Sequence, residues 1–171
     1  MDFIKLAKER YSVRDYKDKE VEEEKIDQIL EAAKVAPTAC NFQPQKIFVL
    51  KSPEAIEKIR KITKNAYNAP IVFLICVNED ESWQSPFTEN YNSGVMDGSI
   101  VCSHMMLQAK DLGLDSVWVV SFDPELTKRE FNIPENLRPV CLLPVGYASE
   151  NAKPTDNHNT FKERNELVEE L

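Results

Sequence analysis

The chain has 171 residues, 42% of them apolar and 29% charged, and its net charge is -8. That length suits one domain with its own core, predicted here over residues 1–171, and the acidic balance speaks against a general nucleic-acid or anionic-membrane binder, since either needs a basic face. No stretch approaches the ~20 apolar residues of a membrane span, and Met1-Asp2-Phe3-Ile4-Lys5 lacks the apolar core of a signal peptide, so a cytoplasmic location is expected.

Residues 2–10 read as a short helix with Phe3, Leu6 and Ala7 on one side, followed by an extended turn at Ser12 to Tyr16. Val21 to Ala36 is an amphipathic helix: Ile26, Ile29, Leu30, Ala33 and Ala36 recur at helical spacing, Glu22 to Glu24 complement its N-terminal dipole, and Pro37 stops it. A polar loop over 38–44 leads into a strand at Lys46 to Lys51. Ser52 then caps a helix with Pro53 in its first turn, running to about Ile62. The continuous apolar run Ile71 to Val77 predicts a central strand. Asn78 to Asn92 is polar and acidic, carries Trp83, Phe87 and Tyr91, and reads as a long surface loop or irregular helix, long enough to serve as a lid or binding element.

Ser93 to Leu112 predicts a long helix whose apolar residues cover much of its circumference, so it is expected in the centre or in a subunit interface, with Gly113 ending it. A strand is expected at Ser116 to Val120, a short helix capped by Asp123 with Pro124 at its start, and another strand at Val140 to Tyr147. Residues 148–160 read as irregular. Phe161 to Leu171 predicts a last helix with Phe161, Leu167, Val168 and Leu171 as apolar contacts. Strands flanked by helices throughout place the chain in the mixed α/β class.

Glycine and histidine are scarce. Four glycines allow no Rossmann or P-loop phosphate cradle. Two histidines leave little for a zinc site or a Ser-His-Asp hydrolase, and His104, in an apolar helix, reads as a packed core residue. Cys76, Cys102 and Cys141 lie in apolar runs and read as buried thiols. Cys40 sits in the polar loop, where a small filler is the preferred reading over a redox-sensitive thiol.

Two short segments carry chemistry. Arg10, Ser12 and Arg14 alternate along an extended backbone, so two guanidiniums and a hydroxyl can converge on a phosphate; by spacing alone a solvated turn is the simpler reading. Asn41 and Gln43 are likewise two apart and offer amides suited to the edge of a planar heterocycle, or to a capped turn.

Taken in order, four segments resemble the nitroreductase family: Arg10-x-Ser12-x-Arg14, Ala36-Pro37-Thr38-Ala39-Cys40-Asn41-Phe42-Gln43-Pro44, Gly113-Leu114-Asp115-Ser116-x-Trp118 with Asp115 in place of a glycine, and Leu143 to Tyr147. The resemblance spans almost the whole chain. It implies an α+β fold with a central mixed sheet flanked by helices, in an intertwined homodimer joined through the long helix and exchanged terminal arms. It also implies FMN in two sites at the dimer interface, with NADH or NADPH as electron donor and a small acceptor such as a nitro compound or quinone. By the same resemblance Arg10, Ser12 and Arg14 hold the FMN phosphate and ribityl chain. Pro37, Thr38, Asn41 and Gln43 line the flavin from the other subunit, Asn65 supplies a polar contact, and backbone at Val120 and Ser121 approaches the flavin N5 edge. The basic pair that clamps the phosphate near the last helix is matched only by Lys162, with Phe161 where the other cation belongs. No catalytic acid or base is implied. The alternatives are reductive dehalogenation or enone reduction on the same fold, and a non-catalytic flavin-binding dimer.

Overall fold

The apolar run around residue 74 becomes the centre of the sheet because both its faces are apolar, and only a position between two helical layers covers both. The computed structural model describes residues 2–171; Met1, the first residue of the expected domain, lies outside them. Strand β2 (Ile71–Asn78) is buried at every position. It pairs antiparallel with β1 (Gln45–Leu50) on one side and with β4 (Leu137–Gly146) on the other, and β3 (Asp115–Ser116) extends β4, giving the order β1-β2-β4-β3. In register, Ile47 faces Ile75 and Phe73 faces Leu143.

The period of two sorts this strand between two cores. Ile71, Phe73 and Ile75 join Cys141, Leu143 and Val145 on one face, under α2 (Glu23–Val35) and α4 (Gly94–Asp111). Val72, Leu74 and Cys76 join Leu142 on the other, under α3 (Pro53–Ile62). Helix α5 (Pro124–Phe131) packs beside α3, and α1 (Phe3–Glu9) leans on α4. The result is an α+β architecture with a helical layer on each face of the sheet.

The helix signals hold to within two residues for α2, α3 and α4. Ser52 accepts from the Ala55 N–H as the N-cap of α3, and Gly113, at φ 75°, ends α4. Gly146 leaves no room for a side chain: a Cβ there would stand 2.7 Å from Pro70 Cδ and 3.0 Å from Tyr16 Cδ1.

Four expectations are corrected. The sheet is not mixed: among the described residues all four strands run antiparallel, and the one parallel contact is a single-residue bridge between Ser12 and Ser116. An apolar run reads the same whichever way its neighbour points, so its pattern carries no direction. The strand expected at 116–120 stops at Ser116. Val117 N–H donates to Pro144 O and Val119 pairs with Leu142, but Pro144 has no N–H to return the bond, and the ladder breaks. The helix expected at 161–171 shrinks to α6 (Arg164–Leu167), with Phe161, Leu167, Val168 and Leu171 exposed; so short a helix is marginal without an apolar face to dock on. His104 is half-buried at the surface of α4, its Nδ1 2.9 Å from Ile100 O, and is not a core residue.

Helix α4 has the wide apolar arc its sequence implies. Val101, Cys102, Met105 and Ala109 are buried, while Val95, Met96 and Ile100 on the opposite side remain 39–45% exposed. Phe3, Ile4 and Val35 are exposed as well, and an apolar groove runs between α1, α2 and α4.

Candidate functional site

Most residues singled out from sequence gather at two places, one near each end of α4; Asn65 and Ser121 meet elsewhere and Lys162 lies apart. Near the C-terminal end of α4 the segment 10–16 is held extended against β3. Val13 N–H donates to Ser116 O (3.1 Å), and Val13 is buried. Alternation therefore turns Ser12 and Arg14 outward. The buried Tyr16 hydroxyl donates towards Val13 O (2.9 Å) and Pro144 O (3.3 Å), and burial, then the Asp115 charge, push that phenol well above its ordinary range. Asn68 ties the same segment down by accepting from Tyr16 N–H and donating to Asp15 Oδ1.

Arg10, Ser12 and Arg14 line one cavity of about 240 Å³ with Tyr11, Thr155, Asn157 and His158. Arg14 Nη1 donates to Ser12 O (3.1 Å). Neither guanidinium meets a carboxylate among the described residues, and no acidic side chain lines the cavity. In an acidic chain this is a local pool of positive charge with hydroxyl and amide donors, the chemistry of a phosphate monoester site. The charge of Asp115 is met by Lys110 Nζ at 2.9 Å. Lys162 is exposed and does not line this cavity; Thr155, Asn157 and His158 do. No spacing signal in the sequence marks those three, since they come from an irregular stretch far along the chain.

Near the N-terminal end of α4 lies the loop after α2. Pro37, Asn41 and Gln43 are exposed and Thr38 is half-buried. Cys40, Asn41 and Gln43 have φ of 51°, 56° and 52°, the left-handed region that non-glycine residues seldom occupy. The loop is fixed from within by Gln43 N–H to Thr38 Oγ1 (3.0 Å) and Gln43 Nε2 to Asn41 O (3.2 Å). From outside it is fixed by Asp97 of α4, whose buried carboxylate accepts from Ala39 N–H (2.9 Å) and from the Ser93 hydroxyl (2.6 Å). Sequence reasoning missed Asp97; an acid four residues after a helix-capping serine is the signal that marks it. Tyr91 also reaches this end of α4, its hydroxyl 3.8 Å from Met96 Sδ, and Phe42 is exposed on the loop.

Asn65 and Ser121, distant in sequence, do meet. Ser121 O accepts from Asn65 Nδ2 (3.3 Å) and from the buried Thr63 hydroxyl (2.7 Å), which leaves Val120 projecting and 63% exposed. Tyr147, by contrast, is structural. Its hydroxyl donates to Glu22 (2.6 Å), holding that carboxyl at about 2, while Lys19 sits 3.8 Å over its ring.

The two places do not join within one chain. The loop is tied to Asp97 and the arginine cavity adjoins Lys110, whose Nζ lies 5.9 Å from the Tyr11 ring centroid; between those positions α4 rises about 20 Å.

Comparison with known proteins bears on both halves. The sequence model of the nitroreductase family matches residues 7–68 and 60–147. A protein of Methanothermobacter thermautotrophicus described as a candidate NADH dehydrogenase/NAD(P)H nitroreductase is 33% identical, the match covering 91% of this chain and 82% of that protein. An FMN reductase [NAD(P)H] of Bacillus subtilis is 24% identical over 99% of this chain and 78% of its own length. The crystal structure of a nitroreductase family protein from Clostridium difficile 630 superposes with a TM-score of 0.92 at 42% identity, covering 99% of this chain and 98% of that one.

Proposed function

This chain belongs to the nitroreductase family, and on that premise we propose that it works as a cytoplasmic homodimer, with residues 1–171 as one domain, passing hydride from NADH or NADPH through FMN to a small acceptor such as a nitro compound or quinone. In its coarser form, an NAD(P)H-dependent flavin oxidoreductase, the activity follows from the family and its named relatives. The observation that carries the finer reading is the pair of guanidiniums, free of any carboxylate among the described residues, in a cavity about 20 Å along α4 from the loop that matches the family's flavin-lining segment.

The donor set fits FMN. Arg10, Arg14 and Ser12 offer forked cations and a hydroxyl to a phosphate, and the cavity of about 240 Å³ has room for one. Pro37, Thr38, Asn41 and Gln43 would reach the flavin of the partner subunit, presenting side-chain amides and loop backbone to the ring edge. Asn65 holds the Ser121 carbonyl, and backbone at Val120 and Ser121 would approach the flavin N5 edge. Lys162 lies on the exposed C-terminal arm and would contribute only if that arm is exchanged between subunits. The exposed faces of α1 and α4 and the apolar side chains of the arm are the surfaces such a dimer would bury. No helix among the described residues is long and apolar enough to cross a membrane.

FMN supplies the hydride chemistry when bound, so the protein's task is to hold, orient and shield. Phe42 and Tyr91 give the α4 N-terminal end exposed aromatic surface suited to a flat acceptor.

The test is an absorption spectrum of the protein after addition of FMN and removal of excess, before and after anaerobic NADH and then NADPH, followed by a nitroaromatic or a quinone. Flavin bands that bleach with one donor and return with the acceptor are expected. A protein that retains no flavin overturns the reading. Retained flavin that no nicotinamide bleaches makes it a flavin-binding dimer without this activity.

A further inference from the structure

The resemblance implies a second phosphate-clamping cation near the last helix, but Phe161 stands at that position, exposed, and Lys162 does not line the arginine cavity. The C-terminal segment instead brings an imidazole. His158 lines the cavity with Arg10, Ser12 and Arg14, and its half-buried ring meets the Tyr11 ring edge-on at 6.0 Å between centroids. The segment is anchored ahead of that contact, where Tyr11 Oη donates to Ala152 O (3.4 Å), and is folded into a turn by His158 N–H donating to Thr155 O (2.9 Å).

We infer that His158 is the third phosphate-binding group of this site and replaces the absent clamp cation; the inference rests on the FMN reading above. An imidazole can donate to a phosphate oxygen when neutral, and adds a full charge when protonated. The charged groups around it favour an anion. Arg10 and Arg14 face it from the N-terminal segment, and Lys110 of α4, its charge met by Asp115, lies 5.9 Å from the Tyr11 ring centroid. Asp15 is engaged by Asn68 and Ser149, and Asp156 is the one acid on the imidazole's own turn.

The test compares variants and ligands. FMN and riboflavin affinities are measured by flavin fluorescence for the wild type, His158→Ala and His158→Lys. His158→Ala is expected to weaken FMN about tenfold. His158→Lys is expected to restore binding. Riboflavin, which lacks the phosphate, should bind all three proteins alike. Unchanged FMN affinity in His158→Ala overturns the assignment. So does equal weakening of FMN and riboflavin, which would make His158 a packing residue for the Tyr11 contact. A wild type that binds neither flavin overturns the FMN reading along with it, so the two failures are told apart.

Discussion

Around the C-terminal end of α4 the molecule presents side-chain charge on ordinary extended backbone; around the N-terminal end it presents backbone forced into positive φ at three positions and held by one buried carboxylate. The first half can lose a side chain and keep its shape, because Ser12 and Val13 are fixed by strand-like bonds to Ser116 that no arginine takes part in. The second half has no such independence. Asn41 and Gln43 point where they do because Asp97 and Thr38 hold the loop, so structure and site are a single object there. Charge is the mobile element at one end and shape the fixed element at the other.

The largest effect should come from separating the halves. Ile100→Glu places a carboxylate in the exposed apolar face of α4, where burying it against a partner costs several kcal/mol. Light scattering should report a monomer and the absorption spectrum no retained FMN, although the arginine cavity is untouched. A monomer that still holds FMN would break the comparison, because the whole site would then lie in one chain.

Next is Arg14→Ala. Loss of one charge-assisted contact should weaken FMN by about 10- to 100-fold, as read by flavin titration, with little change in melting temperature. Asp97→Ala should lower stability and FMN affinity together. It leaves the Ala39 N–H and the Ser93 hydroxyl without their acceptor, at a cost of about 1–3 kcal/mol, or a melting temperature lowered by about 2–10 °C in calorimetry. If Arg14→Ala lowered the melting temperature more than Asp97→Ala did, the division into a charge end and a shape end would fail.

The smallest effects concern the thiols. Cys40 is exposed on the loop, while Cys76, Cys102 and Cys141 are buried, and burial pushes the Cys76 thiol up to about 12. A disulfide reagent should therefore titrate one thiol per chain rapidly in the native protein and all four after denaturation, with FMN slowing the native reaction if the loop covers flavin. The raised Cys76 value also sets an alkaline limit. An unfolded chain ionises that thiol from about 9, so the stability held by the protonated core thiol is fully present below that pH and lost as pH rises towards 12; the buried Tyr16 phenol acts in the same direction. Chemical unfolding midpoints measured across that range should fall.

Much of this molecule was legible before any fold was known. The stop at Pro37, the Ser52-Pro53 start, the central strand at 71 and the halt at Gly113 follow from backbone sterics and local hydrogen bonding, which act over a few residues and so leave a local mark. The convergence of Arg10, Ser12 and Arg14 was legible for the same reason, because alternation is a property of three neighbouring residues. Strand direction, the break opposite Pro144, the undocked helix after Phe161, the grip of Asp97 on Ala39 and the arrival of His158 beside Tyr11 were not. Each depends on which distant segment the packing of helices across the sheet brings alongside, and periodicity records whether a residue is buried, never against what.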